Sequence, residues 1–265
     1  MFTTRDSTTK HAWAETALQV YSIRVDKAKL MWPLHVYGMV AARDCVDHNR
    51  NILFHRKRDN CQIVTKNDPY LLLTGPSRAI VFLDRPVFEI NLKVKGHQSE
   101  SEDKETLIHQ TYWYNNGTVG SRGRSCSNKL CKINFNLMEL HETVQATVMS
   151  VRIIRGSWPS DSAGQVFCHD GSSPDKVIML LDFPDGKNPP VDQDGYLELS
   201  RRVVSVHLRD DMTVSVSANS ETGLIGSSGA VSFTAGSHGV VERKCQLGDK
   251  CQLKIQVAWS LLAMT

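Results

Sequence analysis

Apolar and polar residues alternate along two long segments of the chain, 88–95 and 251–261. In an extended strand successive side chains point to opposite faces, so each segment is predicted to be a strand with one buried face. The residues predicted to lie in the core are Phe88, Ile90, Leu92, Val94, Leu253, Ile255, Val257 and Trp259.

Shorter alternations recur at 21–25, 34–40, 133–137 and 204–208. Clusters of Gly, Pro, Asn and Asp, residues that favour tight turns, separate the apolar stretches. The regular succession of short strands and turns predicts an all-β protein, an antiparallel β-sandwich with long surface loops.

The predicted domain organisation is an N-terminal extension over 1–17 followed by a single β-sandwich domain over 18–265. The polar segment 96–106 has the composition of a long loop and is the place where the domain would divide into two β units. Two stretches, 13–18 and 137–145, are also compatible with short helices, and the second fits a strand as well.

Composition and charge narrow the class of protein. The chain is 41% hydrophobic and 22% charged with a formal net charge of +3, which excludes disordered, collagen-like and coiled-coil chains. That charge is too small to mark a nucleic-acid-binding domain by itself. The N-terminal segment is polar where an export signal would be apolar, so we expect a cytoplasmic protein whose seven cysteines remain thiols.

The most basic segment is 48–58, called here the basic run. Its cations, with Arg43 in the preceding predicted strand, could bind phosphates of RNA or of an anionic membrane surface, weakly and in a salt-dependent way. The alternative is an edge strand that its charges protect from aggregation, with Asp47 and Asp59 offsetting part of the charge. The candidate anion-binding residues are Arg43, Arg50, Arg56, Lys57 and Arg58.

Loop aspartates are the weak candidates for a metal, because calcium takes several oxygen ligands that loops at one end of a sandwich can supply. Asp-Gly pairs are also ordinary turn residues, and this interpretation is favoured. The calcium candidates are Asp182, Asp185, Asp192 and Asp194. Cysteine spacing does not favour zinc, and no motif combines a nucleophile, a base and an orienting group, so no catalytic residue or cofactor is predicted.

Several idiosyncratic strings carry a family resemblance. They are WPL at 32–34, RDxxDxxRN at 43–51, LTGP at 73–76 and GSWP at 156–159. The strings occur in this order within longer blocks between about Val20 and Leu262. These blocks closely resemble sequences of the plant family of domains of unknown function DUF6598. The resemblance implies a β-rich plant domain, mainly from grasses, that also occurs beside ribosome-inactivating N-glycosidase domains in jasmonate-induced proteins. It implies no catalytic residues.

The function predicted from these observations is a non-enzymatic interaction module in plant stress or defence, a monomer with a protein partner. One alternative is an accessory or relative of ribosome-inactivating rRNA N-glycosidase proteins, although the EAxxR-like helix of that activity has no counterpart in the sequence. The other alternative is binding of RNA or anionic lipid through the basic run.

Overall fold

In the part of the chain that the structure describes, the regular structure consists of strands and one short 3-10 turn. The computed structural model describes residues 12–96, 106–114, 124–159, 162–171, 173–183, 189–219 and 226–263. The strands of its first half are β1 (Ala12–Trp13), β2 (Glu15–Ala28), β3 (Leu34–Arg43), β4 (Asn51–Arg56), β5 (Gln62–Val64), β6 (Ile80–Val81), β7 (Val87–Val94), β8 (Thr106–Trp113) and β9 (Arg124–Ser127). The 3-10 turn covers Arg58–Asn60.

The second half begins with the longest strand. Its strands are β10 (Cys131–Arg155), β11 (Ala163–Asp170), β12 (Ser173–Phe183), β13 (Val203–His207), β14 (Asp211–Asn219), β15 (Ser227–Thr234), β16 (His238–Leu247), β17 (Cys251–Ser260) and β18 (Leu262–Ala263). The paired strands whose register is resolved are antiparallel. The predicted all-β, antiparallel fold class is therefore confirmed.

The strands group into two compact units. One contains the described residues of Thr16–Glu139, and the other contains those up to Glu15 together with Leu140–Ala263. The division falls inside β10, between Glu139 and Leu140. The single-domain assignment over 18–265 stays a prediction.

The Thr16–Glu139 unit is a β-sandwich. One sheet has the strand order β4-β3-β7-β8, with β5 also paired to β3. The second layer includes β2 paired with β6, and β9 paired with the start of β10. Phe88 of β7 meets Phe135 of β10 with ring centroids 5.4 Å apart, so the apolar faces of the two layers form one core.

The Leu140–Ala263 unit also buries alternate residues of antiparallel strands. Its four-stranded sheet has the order β12-β11-β14-β15. In this unit β10 pairs with β13 on one side and with β17 on the other, and β16 pairs with the far side of β17. Trp158 and Phe183 pack with ring centroids 5.4 Å apart.

The predicted core residues are confirmed, except that Val94 is only half-buried. The two stretches compatible with helices are strands. Segment 13–18 falls in β1 and β2, and 137–145 falls in β10. In β10 the pairing of Val144 with Val206 supplies backbone hydrogen bonds that a short isolated helix could not match.

Candidate functional site

A cavity of about 750 Å³ lies in the Thr16–Glu139 unit. Three segments that are distant in sequence line it: 24–32, 66–69 and 127–132. Asp26 is the one carboxylate among the described lining residues, against five cations. We call this cavity the cationic groove, and its cations are Arg24, Lys29, Lys66, Lys129 and Lys132.

The end of β2 and the segment after it form the first wall of the groove. Val25 is buried, whereas the neighbouring Arg24 and Asp26 remain partly exposed, as the period of two requires. The backbone N–H of Lys29 donates to the carbonyl of Leu130 at 2.8 Å. This bond holds the segment after β2 against the turn that leads into β10.

The second wall presents Lys66 from a tight turn. The backbone N–H of Thr65 donates to the carbonyl of Asp68 at 3.0 Å, and the N–H of Asp68 donates to Thr65 Oγ1 at 2.9 Å. Next to this turn, the N–H of Val25 donates to the carbonyl of Pro69 at 2.9 Å. The backbone that carries Lys66 is thereby fixed relative to β2.

The third wall presents Lys129 from the hairpin turn between β9 and β10. Asn128 Oδ1 accepts hydrogen bonds from the N–H groups of Leu130 at 2.8 Å and Cys131 at 2.7 Å. Asn128 Nδ2 also donates to the carbonyl of Leu107 at 2.8 Å. An Asn side chain that accepts hydrogen bonds from the backbone N–H groups of the residues after it is typical of turns. Asn128 also anchors this turn to β8.

The charges of the groove are only partly compensated. Asp26 forms ion pairs with Arg24 at 2.5 Å and with Lys132 at 3.8 Å. Lys29, Lys66 and Lys129 are exposed, and none of them forms an ion pair with another residue in the described part of the chain. Three uncompensated ammonium groups on fixed turns make the groove a cationic surface.

A buried thiol lies at the inner side of the groove. Cys131 is among the lining residues and is almost fully buried. Burial raises the pKa of its thiol to about 12, because a thiolate would lose its hydration. A thiol with this pKa is protonated at neutral pH, and the thiolate rather than the thiol is the reactive form.

The structure places the five anion-binding candidates, Arg43 and four cations of the basic run, at two separate positions. In the β3–β4 hairpin Ala42 lies opposite Asn51, and Gly38 lies opposite Arg56. Arg43 and Arg50 are therefore at one end of the hairpin. Arg56, Lys57 and Arg58 are at the other end, about four residues or ~13 Å away.

A bulge interrupts the hairpin within the basic run. Val40 pairs with Phe54 and Ala41 with Ile52, so Leu53 is an additional residue. Leu53 and Phe54 are consecutive and both fully buried, which breaks the strict alternation at this point. Anion binding by this run stays a prediction.

Glu89 compensates two of the candidate cations. It lies in β7 opposite Ala41, and its carboxylate accepts hydrogen bonds from Arg43 Nε and Arg50 Nε, each at 2.6 Å. The hydrogen bond from Arg50, followed by that from Arg43, lowers the pKa of Glu89 despite the opposing effect of burial. Both guanidinium groups are thus occupied by a carboxylate of their own unit.

A second ion cluster lies beside the start of the basic run. Arg78 binds Asp44 through Nη1 at 2.6 Å and Nη2 at 2.7 Å, and Nη2 also binds Asp47 at 2.7 Å. Asp44 is buried and additionally accepts the N–H of Val81 at 2.8 Å. Burial by itself would lower the pKa of Arg78, but the hydrogen bonds to Asp44 and Asp47 outweigh this effect and raise the pKa.

A family model, Domain of unknown function (DUF6598), matches residues 17–257. The chain belongs to this family. The resemblance inferred from the WPL, LTGP and GSWP strings is confirmed.

No curated protein matches the DUF6598 chain. Among solved structures, a C2 domain is similar with a TM-score of 0.33 and 17% identity, over 44% of this chain and 99% of that one. Human GIVD cytosolic phospholipase A2 is similar with a TM-score of 0.26 and 9% identity, over 96% of this chain and 31% of that one. The chain spans about a third of the length of that phospholipase.

In the DUF6598 chain, the calcium candidates that the structure describes make different local contacts. Asp192 Oδ1 accepts the N–H groups of Asp194 and Tyr196, each at 2.9 Å, which is turn chemistry. Asp182 accepts a hydrogen bond from Gln165 of the neighbouring strand at 3.3 Å. Asp185 lies outside the described residues. Within the described ranges no group of three or more His, Cys, Asp or Glu side chains is placed to hold a metal ion.

Sequence reasoning missed the cationic groove because its cations are scattered. Lys66 and Lys129 are each flanked by uncharged residues, and neither raises the local charge density. The only sequence signals were the turns that carry them, Thr65–Asp68 and Asn128–Cys131. The pairing that brings those turns to the end of β2 is a property of the fold.

Proposed function

We propose that this chain is a non-enzymatic binding module whose cationic groove takes a ligand that carries phosphate groups. The observation that carries the proposal is the convergence of Lys29, Lys66 and Lys129 on one cavity, where none of the three has an ion-pair partner among the described residues. Ammonium groups are strong point charges for phosphate oxygens, and clefts lined by one sign of charge concentrate ions of the opposite sign.

The rigidity of the groove supports a binding role. Lys66 and Lys129 stand on turns whose backbone bonds are satisfied locally, by Thr65 and by Asn128. Only the lysine side chains themselves need ordering when a ligand binds. Because ordering costs reduce affinity, a site that is already assembled binds more tightly.

The chemistry of the lining favours binding over catalysis. Asp26 is engaged by Arg24 and Lys132, and Cys131 holds its proton at neutral pH. Covalent catalysis requires a nucleophile activated by a base or by a lowered pKa, and these two residues do not provide that combination. The resemblance to domains of jasmonate-induced proteins is our reason to place the binding in plant stress or defence.

The test is calorimetric titration of the protein with inorganic tripolyphosphate. The decisive variant is Lys66→Gln/Lys129→Gln, and the charge-matched control is Lys57→Gln/Arg58→Gln in the basic run. We expect the groove variant to bind at least about tenfold more weakly, because it loses two charge-assisted contacts. The control should bind as the wild type does. Loss of binding in the control alone would contradict the proposal and favour the basic run instead.

A further inference from the structure

We propose that the phosphate-bearing ligand of the cationic groove is the headgroup layer of an anionic membrane, with Met31 entering the lipid interface beside it. This inference rests on the proposed function and names the ligand. The supporting observation is that the exposed apolar side chain of Met31 lies close in sequence to Lys29, one of the groove lysines that have no ion-pair partner among the described residues.

Met31 is 91% exposed, more than any other large apolar residue in the described part of the chain. It lies in the segment between β2 and β3, two residues after Lys29 and directly before Trp32. Lys29 and Trp32 both line the groove. The chain thus presents a flexible, unbranched apolar side chain between two residues of a cationic cavity.

A single exposed apolar residue is ordinary on a protein surface. Met31 differs because of its surroundings. Trp32 lines the groove, and Tyr70, which follows the lining residue Pro69, is also exposed. Trp and Tyr rings favour the membrane–water interface, where one part of the ring is apolar and the other is hydrated.

Among ligands that carry phosphate groups, a membrane surface is the one that contacts both the lysines and Met31. A free polyphosphate would be bound by the lysines alone and gives Met31 no role. Single-stranded nucleic acid is bound on several aromatic side chains that stack successive bases, and Trp32 is the one aromatic residue among the described lining residues. An anionic bilayer offers phosphates to the lysines and an apolar interior to Met31.

The experiment is co-sedimentation of the whole chain with vesicles of phosphatidylcholine, with or without roughly one-third phosphatidylserine. Three variants are compared with the wild type: Lys66→Gln/Lys129→Gln, Met31→Gln, and Val240→Gln as the matched control. Val240 is exposed as well, but it lies in β16 of the other unit. Tripolyphosphate titration of each variant serves as the lipid-free arm.

We expect the wild type to bind the anionic vesicles and not the neutral ones. Lys66→Gln/Lys129→Gln should weaken vesicle binding by about twenty-fivefold, since each basic residue near an anionic surface contributes about fivefold. Met31→Gln should weaken vesicle binding by about tenfold and leave tripolyphosphate binding unchanged. Val240→Gln should change neither.

Two results would overturn the inference and leave the proposed function standing. One is groove-dependent tripolyphosphate binding without vesicle binding. The other is vesicle binding that Met31→Gln does not alter. Groove-dependent binding of a single-stranded RNA oligonucleotide without vesicle binding would replace the membrane by RNA. If Lys66→Gln/Lys129→Gln alters neither vesicle nor tripolyphosphate binding, the proposed function fails together with the inference.

Discussion

The basic run and the cationic groove contain similar numbers of cations but use them differently. In and around the run, Arg43 and Arg50 share the carboxylate of Glu89, and Arg78 is held by Asp44 and Asp47. In the groove, Lys29, Lys66 and Lys129 have no carboxylate partner among the described residues. Arg43, Arg50 and Arg78 thus hold strands and loops together near one end of the run, whereas the dispersed lysines of the groove remain available to a ligand.

This difference has a physical cause. Arg presents a planar fork that matches a carboxylate, so it suits fixed ion pairs inside a fold. Lys carries a compact, strongly hydrated charge on a flexible stem, and it stays in water unless a ligand approaches. At Arg43, Arg50 and Arg78 the charge is structural, and at Lys29, Lys66 and Lys129 it is available, in keeping with these properties of the two residue types.

The largest effect is expected at the buried ion cluster. Asp44→Asn removes the charge that faces Arg78 and should lower the free energy of unfolding by about 2–4 kcal/mol, because a mostly buried guanidinium loses its main partner. Urea denaturation at neutral pH measures this loss. Asp47→Asn is the control, since Asp47 is more exposed than Asp44, and it should cost less than about 1 kcal/mol. Equal, small losses in both variants would show that the cluster is not structural.

A smaller effect is expected at Glu89. Glu89→Gln should lower the free energy of unfolding by about 1 kcal/mol at pH 7, because Arg43 and Arg50 lose a charged acceptor. The pKa of Glu89 is lowered in the folded protein, so its contribution is complete above the unfolded value of about 4.3. It is lost as the pH falls through the lowered folded value.

The measurement is the urea midpoint of wild type and Glu89→Gln at several pH values between about 7 and 3. The two midpoints should differ at neutral pH and converge in acid. A difference that stays constant across this range would contradict the assignment of Arg43 and Arg50 to Glu89.

The smallest effect on stability is expected in the groove. Lys66→Gln/Lys129→Gln should change the free energy of unfolding by no more than about 0.5 kcal/mol, because exposed residues without partners contribute little to folding. The same urea denaturation tests this. A loss above about 1.5 kcal/mol would mean that these lysines are structural, and the contrast between the two regions would disappear.

Local sequence patterns were sufficient for the fold class. Alternation at 88–94 and 251–259 predicted β7 and β17 together with their buried faces. Within 137–145 the pattern is ambiguous, and the strand is decided by its partners β13 and β17. Pairing with strands that are distant in sequence cannot be recognised from a short segment of the sequence alone.

The candidate site was less predictable for the same reason. The sequence identified the cations of the basic run and Arg43 in the preceding strand, and the β3–β4 pairing brings Arg43 near Arg50. It did not identify Glu89 as their partner, because Glu89 lies on β7 and is placed by strand register. The groove likewise depends on three separated segments, and only the fold shows that Lys66 and Lys129 share a cavity with β2.

The most direct test of the central claim is to map where a phosphate ligand binds. Amide chemical shifts of the ¹⁵N-labelled protein are followed during titration with inorganic tripolyphosphate at low salt. The account predicts that the perturbed amides cluster at Lys29, Lys66 and Lys129 and that roughly 0.2 M salt weakens the effect. Perturbations confined to 48–58, or none at millimolar ligand, would contradict it.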